Sequence, residues 1–86
     1  MSDEAIGLLR FIRERAGLTP AEVHRRMVGA GVQVTYDCVW QWLAGRREPT
    51  LANLAILLRV IGASPLERLR LIEIAAASVR PAPLAA

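Results

Sequence analysis

The fold is decided by residues 18–49, LTPAEVHRRMVGAGVQVTYDCVWQWLAGRREP. Thr19 followed by Pro20 predicts a helix start, because threonine caps a first turn well and proline suits the first helical position. We expect this helix to end near Val28, since the two glycines of GAGVQV favour a connection over a continued helix. Its predicted buried residues are Val23 and Met27.

A second helix is predicted from Tyr36 to Ala44, with Thr35 as its cap and Gly45 as its stop. Helical periodicity places the apolar residues Val39, Trp42 and Leu43 on one face. The other face would carry Tyr36, Asp37, Trp40, Gln41 and Ala44. Residues two apart on a helix point about 200° from one another, so only one tryptophan can be buried, and we expect Trp40 to be exposed.

Three further helices flank this pair. Helix one is predicted from Asp3 to Arg15, capped by Ser2 or Asp3 and ended by Gly17. Its predicted buried stripe is Ile6, Leu9, Ile12 and Ala16. Thr50 precedes helix four, whose predicted stripe is Leu51, Leu54, Leu58 and Ile61. Ser64, Pro65 and Glu67 repeat the capping pattern and open helix five.

Helix five carries two apolar strips, of which one would cover the core and the other would face a partner. The first strip is Leu66, Leu69, Ile72, Ala76 and Val79, and the second is Leu71, Ile74, Ala75 and Ser78. Leu8 and Phe11 lie off the main stripe of helix one and would pack in the monomer or against a partner. The predicted dimer interface is Leu71, Ile74, Ala75, Ser78 and Phe11, with a more fully buried helix as the alternative.

The composition suits one small helical domain with an anionic partner. The chain has 86 residues, 53% of them hydrophobic, and a net charge of +3. All eleven basic residues are arginine, which forks onto phosphates and guanine edges, although codon bias is an alternative explanation. We expect a single domain over 1–80, a flexible tail over 81–86 and no strands.

Several protein classes are disfavoured by the sequence. One cysteine and one histidine allow no internal disulfide and no zinc site, and no nucleophile–base pair is evident. We therefore expect no enzyme, no metal and no cofactor. His24 is predicted on a helix surface, and Cys38 as a packing residue. The acidic start MSDEAIG and the lack of a long apolar run predict a cytoplasmic protein without a membrane span.

Three segments, LRFIRERAGLT, TYDCVWQWLAGRREPT and LLRVIGASPLERL, carry a family resemblance through their order and spacing. The chain resembles the Cro and lambda-repressor-like helix-turn-helix family, also called the XRE family, over about residues 9–69. This resemblance implies an all-α, five-helix DNA-binding domain whose third helix enters the major groove of double-stranded DNA.

The resemblance also implies DNA contacts at particular residues. Those expected at base edges are Tyr36, Asp37, Trp40 and Gln41. Gln41 can pair with adenine and Asp37 can accept from a cytosine amino group. For Tyr36 the alternative role is a contact at the helix start, and for Trp40 it is packing over GAGVQV. Those expected at phosphates are Thr35, Arg46, Arg47 and Arg25, whereas we expect Arg26 to be a solvated residue.

Three departures from the family pattern bear on these contacts. Pro20 stands where the family often has a glutamine that contacts DNA, so that contact is lost. Leu43 stands where the family often has an acid that pairs with an arginine, so Arg13 would pair with Glu48 or stay solvated. The connection between helices two and three is also longer than the family's tight turn, which bears on their relative angle.

The expected function is that of a sequence-specific transcription regulator, most simply a repressor, that binds an inverted-repeat operator as a homodimer. One alternative is an antitoxin of a toxin–antitoxin pair, with a toxin as protein partner. Another is a helical protein-interaction adaptor without DNA binding, which Pro20, Asp37 and Trp40 would favour.

Overall fold

The structure, a computed structural model, describes residues 2–78 and contains five α-helices and no strand over this range. The helices are α1 (Asp3–Arg15), α2 (Pro20–Gly29), α3 (Tyr36–Leu43), α4 (Leu51–Val60) and α5 (Pro65–Ser78). The predicted all-α class is thus confirmed for these residues. Val79 and the predicted tail over 81–86 lie outside the described residues.

The helices begin where local capping chemistry places them. A side-chain hydroxyl oxygen accepts the backbone N–H three residues later at four helix starts, which are capped by Ser2, Thr19, Thr35 and Thr50. At α5 the contact is reciprocal, because the Ser64 hydroxyl accepts the Glu67 N–H and the Glu67 carboxylate accepts the Ser64 N–H at 2.9 Å. Such caps satisfy amides that have no partner within the helix.

The end of α3 favours a glycine for two reasons. Gly45 has φ +76°, a left-handed conformation that other residues adopt only at a cost. In addition, a Cβ atom at this position would overlap the end of the Ile6 side chain from α1. The close approach of α1 to this turn therefore helps to fix where α3 stops.

The core is formed by apolar side chains from all five helices, and most predicted core positions are confirmed. Its buried members are Ala5, Leu9, Ile12, Leu18, Val23, Met27, Val39, Trp42, Leu43, Leu54, Leu57, Leu58, Ile61 and Leu71. Neighbouring helices pack as α1 with α3 and α5, α2 with α3 and α4, and α4 with α5. The pair α2 and α3 is consequently held by α4, which packs against α2, and by α1, which packs against α3.

Three stripe residues were predicted wrongly. On α1 the buried stripe begins at Ala5, so Ile6 is only half-buried, and Ala16 is exposed. On α4 Leu57 is buried, whereas Leu51 is the first residue of the helix and is exposed.

The predicted dimer interface on α5 lies largely against the core, and Ile72 of the other strip packs there as well. Leu71 is fully buried in the core, while Ile74 and Ala75 are half-buried against it. A side chain without exposed surface cannot meet a partner, so the assignment of Leu71 to a dimer interface is corrected. Ser78 is the last residue of α5.

The outward side of α5 carries leucines instead. Leu66 is 78% exposed and Leu69 is 55% exposed, although both were predicted on the strip that would cover the core if the other strip met a partner. Phe11 on α1 is 57% exposed, whereas Leu8 packs against the core. Among the described helices, none has the length and apolar character needed to cross a bilayer.

Candidate nucleic-acid interface

The third helix has one face fixed in the core and the opposite face open to solvent. Val39, Trp42 and Leu43 are buried against α1 and α2, as the periodicity predicted. The outward residues Tyr36, Asp37, Trp40 and Ala44 are exposed, and Gln41 is half-buried. This arrangement presents mainly polar and aromatic groups on a helix that cannot rotate without disrupting the core.

Trp40 is the exposed tryptophan, with 37% of its surface accessible, and Arg46 covers part of its ring. The guanidinium carbon of Arg46 lies 5.2 Å from the ring centroid, which is within cation–π distance. Trp40 also lines a shallow pocket with Arg10, Arg13, Pro20, Leu43 and Ala44. Trp40 thus lies beside residues of α1 and the start of α2, and packing over the connection stays a prediction.

Asp37 and Gln41 are joined by a hydrogen bond along the outward face of α3. Gln41 Nε2 donates to Asp37 Oδ2 at 2.9 Å, across one helical turn. Both residues were predicted to contact bases, and the structure places them as neighbouring, coupled groups. One amide hydrogen of Gln41 is thus engaged by Asp37.

Tyr36 is the first residue of α3 and lies beside His24, which was predicted on a helix surface. The His24 ring meets the Tyr36 ring edge to face at 6.2 Å between centroids. His24 Nε2 lies 2.8 Å from the carbonyl oxygen of Val34, and since that oxygen only accepts, Nε2 is the donor. His24 therefore ties α2 to residues 30–35, the connection, immediately before α3. The helix-start role considered for Tyr36 belongs to Thr35, whose hydroxyl accepts the Cys38 N–H.

Arg46 and Arg47 follow α3 directly and are both exposed. Their backbone amides donate to the carbonyl oxygen of Gln41 at 2.8 and 3.3 Å, which closes the C-terminal turn of the helix. Those amides are hence engaged, and the side chains are the groups available to an anion. Within residues 2–78, neither guanidinium has a carboxylate at ion-pair distance.

The arginines of α2 differ from one another. Arg26 Nη1 donates to the carbonyl oxygen of Val60 at 2.8 Å and so satisfies the C-terminal end of α4. The expectation that Arg26 is merely solvated is therefore wrong. Arg25 is exposed and lines a shallow groove with Glu22 and Arg26, so its side chain remains accessible.

Arg13 bonds to the backbone instead of to an acid. Its Nη1 donates to the carbonyl oxygen of Leu18 at 3.0 Å, which connects α1 to the residue before the α2 cap. The predicted choice between pairing with Glu48 and staying solvated is corrected by this contact. Cys38 is half-buried and packs against the core, as predicted for a packing residue.

Taken together, the outward face of α3 supplies hydrogen-bonding groups and an aromatic ring, with two arginines at its end. In the described part of the chain, no three histidine, cysteine or acidic side chains lie where one metal ion would hold them. Comparison of the chain with protein-family models, with curated proteins and with solved structures found no match.

Proposed function

We propose that this chain is a sequence-specific DNA-binding transcription regulator, most simply a repressor, with a lambda-repressor-like helix-turn-helix formed by α2 and α3. The observation that carries the proposal is the division of α3 into a buried apolar face and an exposed face of polar and aromatic side chains beside Arg46 and Arg47. A helix held in this way suits the major groove, where base edges present distinct hydrogen-bonding patterns.

Affinity and sequence choice would come from different residues. Arg46 and Arg47 would neutralise phosphates, which strengthens binding to every sequence and makes it depend on salt. Gln41 would read a base edge, because its amide offers both an acceptor and a donor. Tyr36 would bond a phosphate through its hydroxyl or pack against a thymine methyl group. Thr35 and Arg25 would add phosphate contacts from the flank.

A single short helix reads only a few base pairs, so we propose that two copies bind an inverted repeat. The surface offered for pairing is the outward side of α5 with Phe11, where Leu66 and Leu69 are exposed. Leu66 and Leu69 are three residues apart on α5 and so share a face, and exposed apolar side chains grouped in this way commonly mark a protein interface. This surface replaces the Leu71 strip expected from the sequence.

The same exposed leucines favour a second candidate function. In an antitoxin, a DNA-binding domain of this kind would use Leu66 and Leu69 to hold a toxin instead of a second copy. Light scattering of the purified chain separates the two, because a homodimer has twice the mass of the chain without any added protein.

The test of the main proposal is selection of bound duplexes from a randomised DNA pool, followed by affinity measurements over a series of salt concentrations. We expect an inverted repeat with half-sites about ten base pairs apart. Recovery of no motif, together with binding that disappears as salt rises, would overturn sequence-specific recognition and leave non-specific attraction of arginines to phosphates.

A further inference from the structure

The hydrogen bond between Asp37 and Gln41 fixes which way the glutamine amide points. A carboxylate only accepts, so the amide nitrogen faces Asp37 and the amide oxygen faces away from it. The second hydrogen on Nε2 and the oxygen Oε1 remain unengaged by Asp37. A glutamine without such a neighbour would rotate among several side-chain conformations before it met a base.

Asp37 itself is poorly suited to direct reading. One of its carboxylate oxygens already accepts from Gln41. Within residues 2–78 no arginine lies at ion-pair distance from Asp37, so its negative charge would face the DNA phosphates without a counter-ion from this chain. Its place in the first turn of α3 is favourable for the helix, because an acid there meets the positive end of the helix dipole.

On the basis of the proposed function, we propose that Asp37 is a positioning residue that orients Gln41 to read adenine and does not itself read a base. Adenine offers N6–H as donor and N7 as acceptor in the major groove, which match the free Oε1 and the second N–H of Gln41. The carboxylate thus increases discrimination at one base pair while its charge lowers affinity for DNA of any sequence.

The experiment uses the operator recovered for the unaltered chain and its single base-pair variants. Binding is measured for Asp37→Ala, Asp37→Asn, Gln41→Ala and the double variant Asp37→Ala/Gln41→Ala. We expect Gln41→Ala and Asp37→Ala to weaken the preference at the same base pair, by about tenfold for Gln41→Ala and less for Asp37→Ala. The double variant should lose no more than Gln41→Ala alone, because both changes remove one contact.

Asp37→Asn separates positioning from charge. Its amide oxygen can still accept from Gln41, so the base preference should survive. Affinity for all sequences should rise, because one negative charge is gone. Glu14→Ala is the matched control, since it removes an exposed acid from α1 and should leave the base preference unchanged.

Two results would overturn the inference while leaving sequence-specific binding intact. One is that Asp37→Ala alters the preference at a different base pair from Gln41→Ala, additively, which would mean that Asp37 reads a base directly. The other is that Asp37→Ala leaves every preference unchanged. If selection of DNA with the unaltered chain yields no motif, the proposed function is overturned, and the inference is overturned with it. An exposed pair of this spacing contributes little to helix stability, so we expect all these variants to fold. Circular dichroism checks this.

Discussion

Helices α3 and α5 both bury an apolar face, but their outward side chains find interaction partners in different parts of the molecule. On α3 the partners lie within the helix or just past its end, as in Asp37 with Gln41 and Trp40 with Arg46. On α5 the partners come from α1, and these ion pairs are Arg15 with Glu67 and Arg70 with Glu4. The polar contacts of Asp37 and Gln41 on α3 therefore stay within one helix, although Tyr36 meets His24 of α2, whereas the ion pairs of α5 help to hold two helices together.

This difference shows that the placement of the arginines, more than their number, determines where the chain would attract a phosphate. Arg15 binds both oxygens of the Glu67 carboxylate, at 2.8 and 2.7 Å, so its charge is largely neutralised at that site. Arg46 and Arg47 have no such acid among residues 2–78. A phosphate would consequently be attracted to the end of α3 more than to the α1–α5 contact, although both regions are rich in arginine.

The largest expected effect contrasts the two sides of α5. Leu71→Ala should destabilise the chain by about 2–5 kcal/mol, because it leaves a cavity in the core where a fully buried side chain was. Leu66→Ala removes a side chain that is 78% exposed and should change the free energy of unfolding of the monomer by less than about 0.5 kcal/mol. Urea denaturation at a concentration where the chain is monomeric measures both. Equal losses would contradict the assigned orientation of α5.

A smaller effect is expected at the end of α3. Gly45→Ala combines the cost of a left-handed conformation with displacement of the end of the half-buried Ile6 side chain, and should destabilise by about 1–3 kcal/mol. Gly62→Ala, at the end of α4, is the matched control, since its φ is +79° but the space around it is open. It should lose only about 1–2 kcal/mol for the conformation. Thermal unfolding of both variants tests whether α1 really abuts the end of α3.

The ion pair between α1 and α5 makes stability depend on pH. Hydrogen bonds from the Arg15 guanidinium and then from the Ser64 backbone lower the pKa of Glu67 from 4.5 to about 2. A lowered pKa in the folded state means that the contribution is fully present above pH 4.5 and is lost as pH falls towards 2.

Glu67→Gln should therefore lower the unfolding temperature at neutral pH and differ little from the unaltered chain near pH 2. The glutamine oxygen can still accept the Ser64 N–H, so the helix start is retained. Thermal unfolding followed by circular dichroism at both pH values measures the effect, with Glu14→Gln as control for loss of an acid elsewhere on the surface. An equal difference at both pH values would mean that Glu67 acts through packing alone.

The caps and the faces of α3 could be predicted because they depend on residues within one or two turns of each other. Thr35, for example, acts on the amide of Cys38, three residues away. The orientation of α5 could not be predicted in this way, because Leu69 and Leu71 are equally apolar and only contact with α1 and α4 selects between them.

The same limit applies to side chains that act at a distance. His24 bonds to a carbonyl ten residues away, and Arg26 to one 34 residues away, so no local spacing indicates either contact. Charge alone marked Arg26 as a surface residue. The sequence indicated which residues face outward from α3, but not that Asp37 and Gln41 would bond to each other or that Arg46 would cover Trp40.

The smallest effect on stability, and the one that bears most directly on function, is expected at Arg46 and Arg47. Changing exposed Arg47 to glutamine should alter the free energy of unfolding by less than about 0.5 kcal/mol. The same change at Arg46 should cost up to about 1 kcal/mol, because it removes the contact with the Trp40 ring. If each arginine neutralises one phosphate, each change should reduce the slope of log affinity against log salt by about 0.9 and weaken all sequences alike. Arg15→Gln should instead lower stability and leave the salt slope unchanged, because its charge is engaged by Glu67. A salt slope that responds equally to Arg15 and Arg46 would mean that the two regions attract DNA alike, and that the acid partner of Arg15 does not shield it.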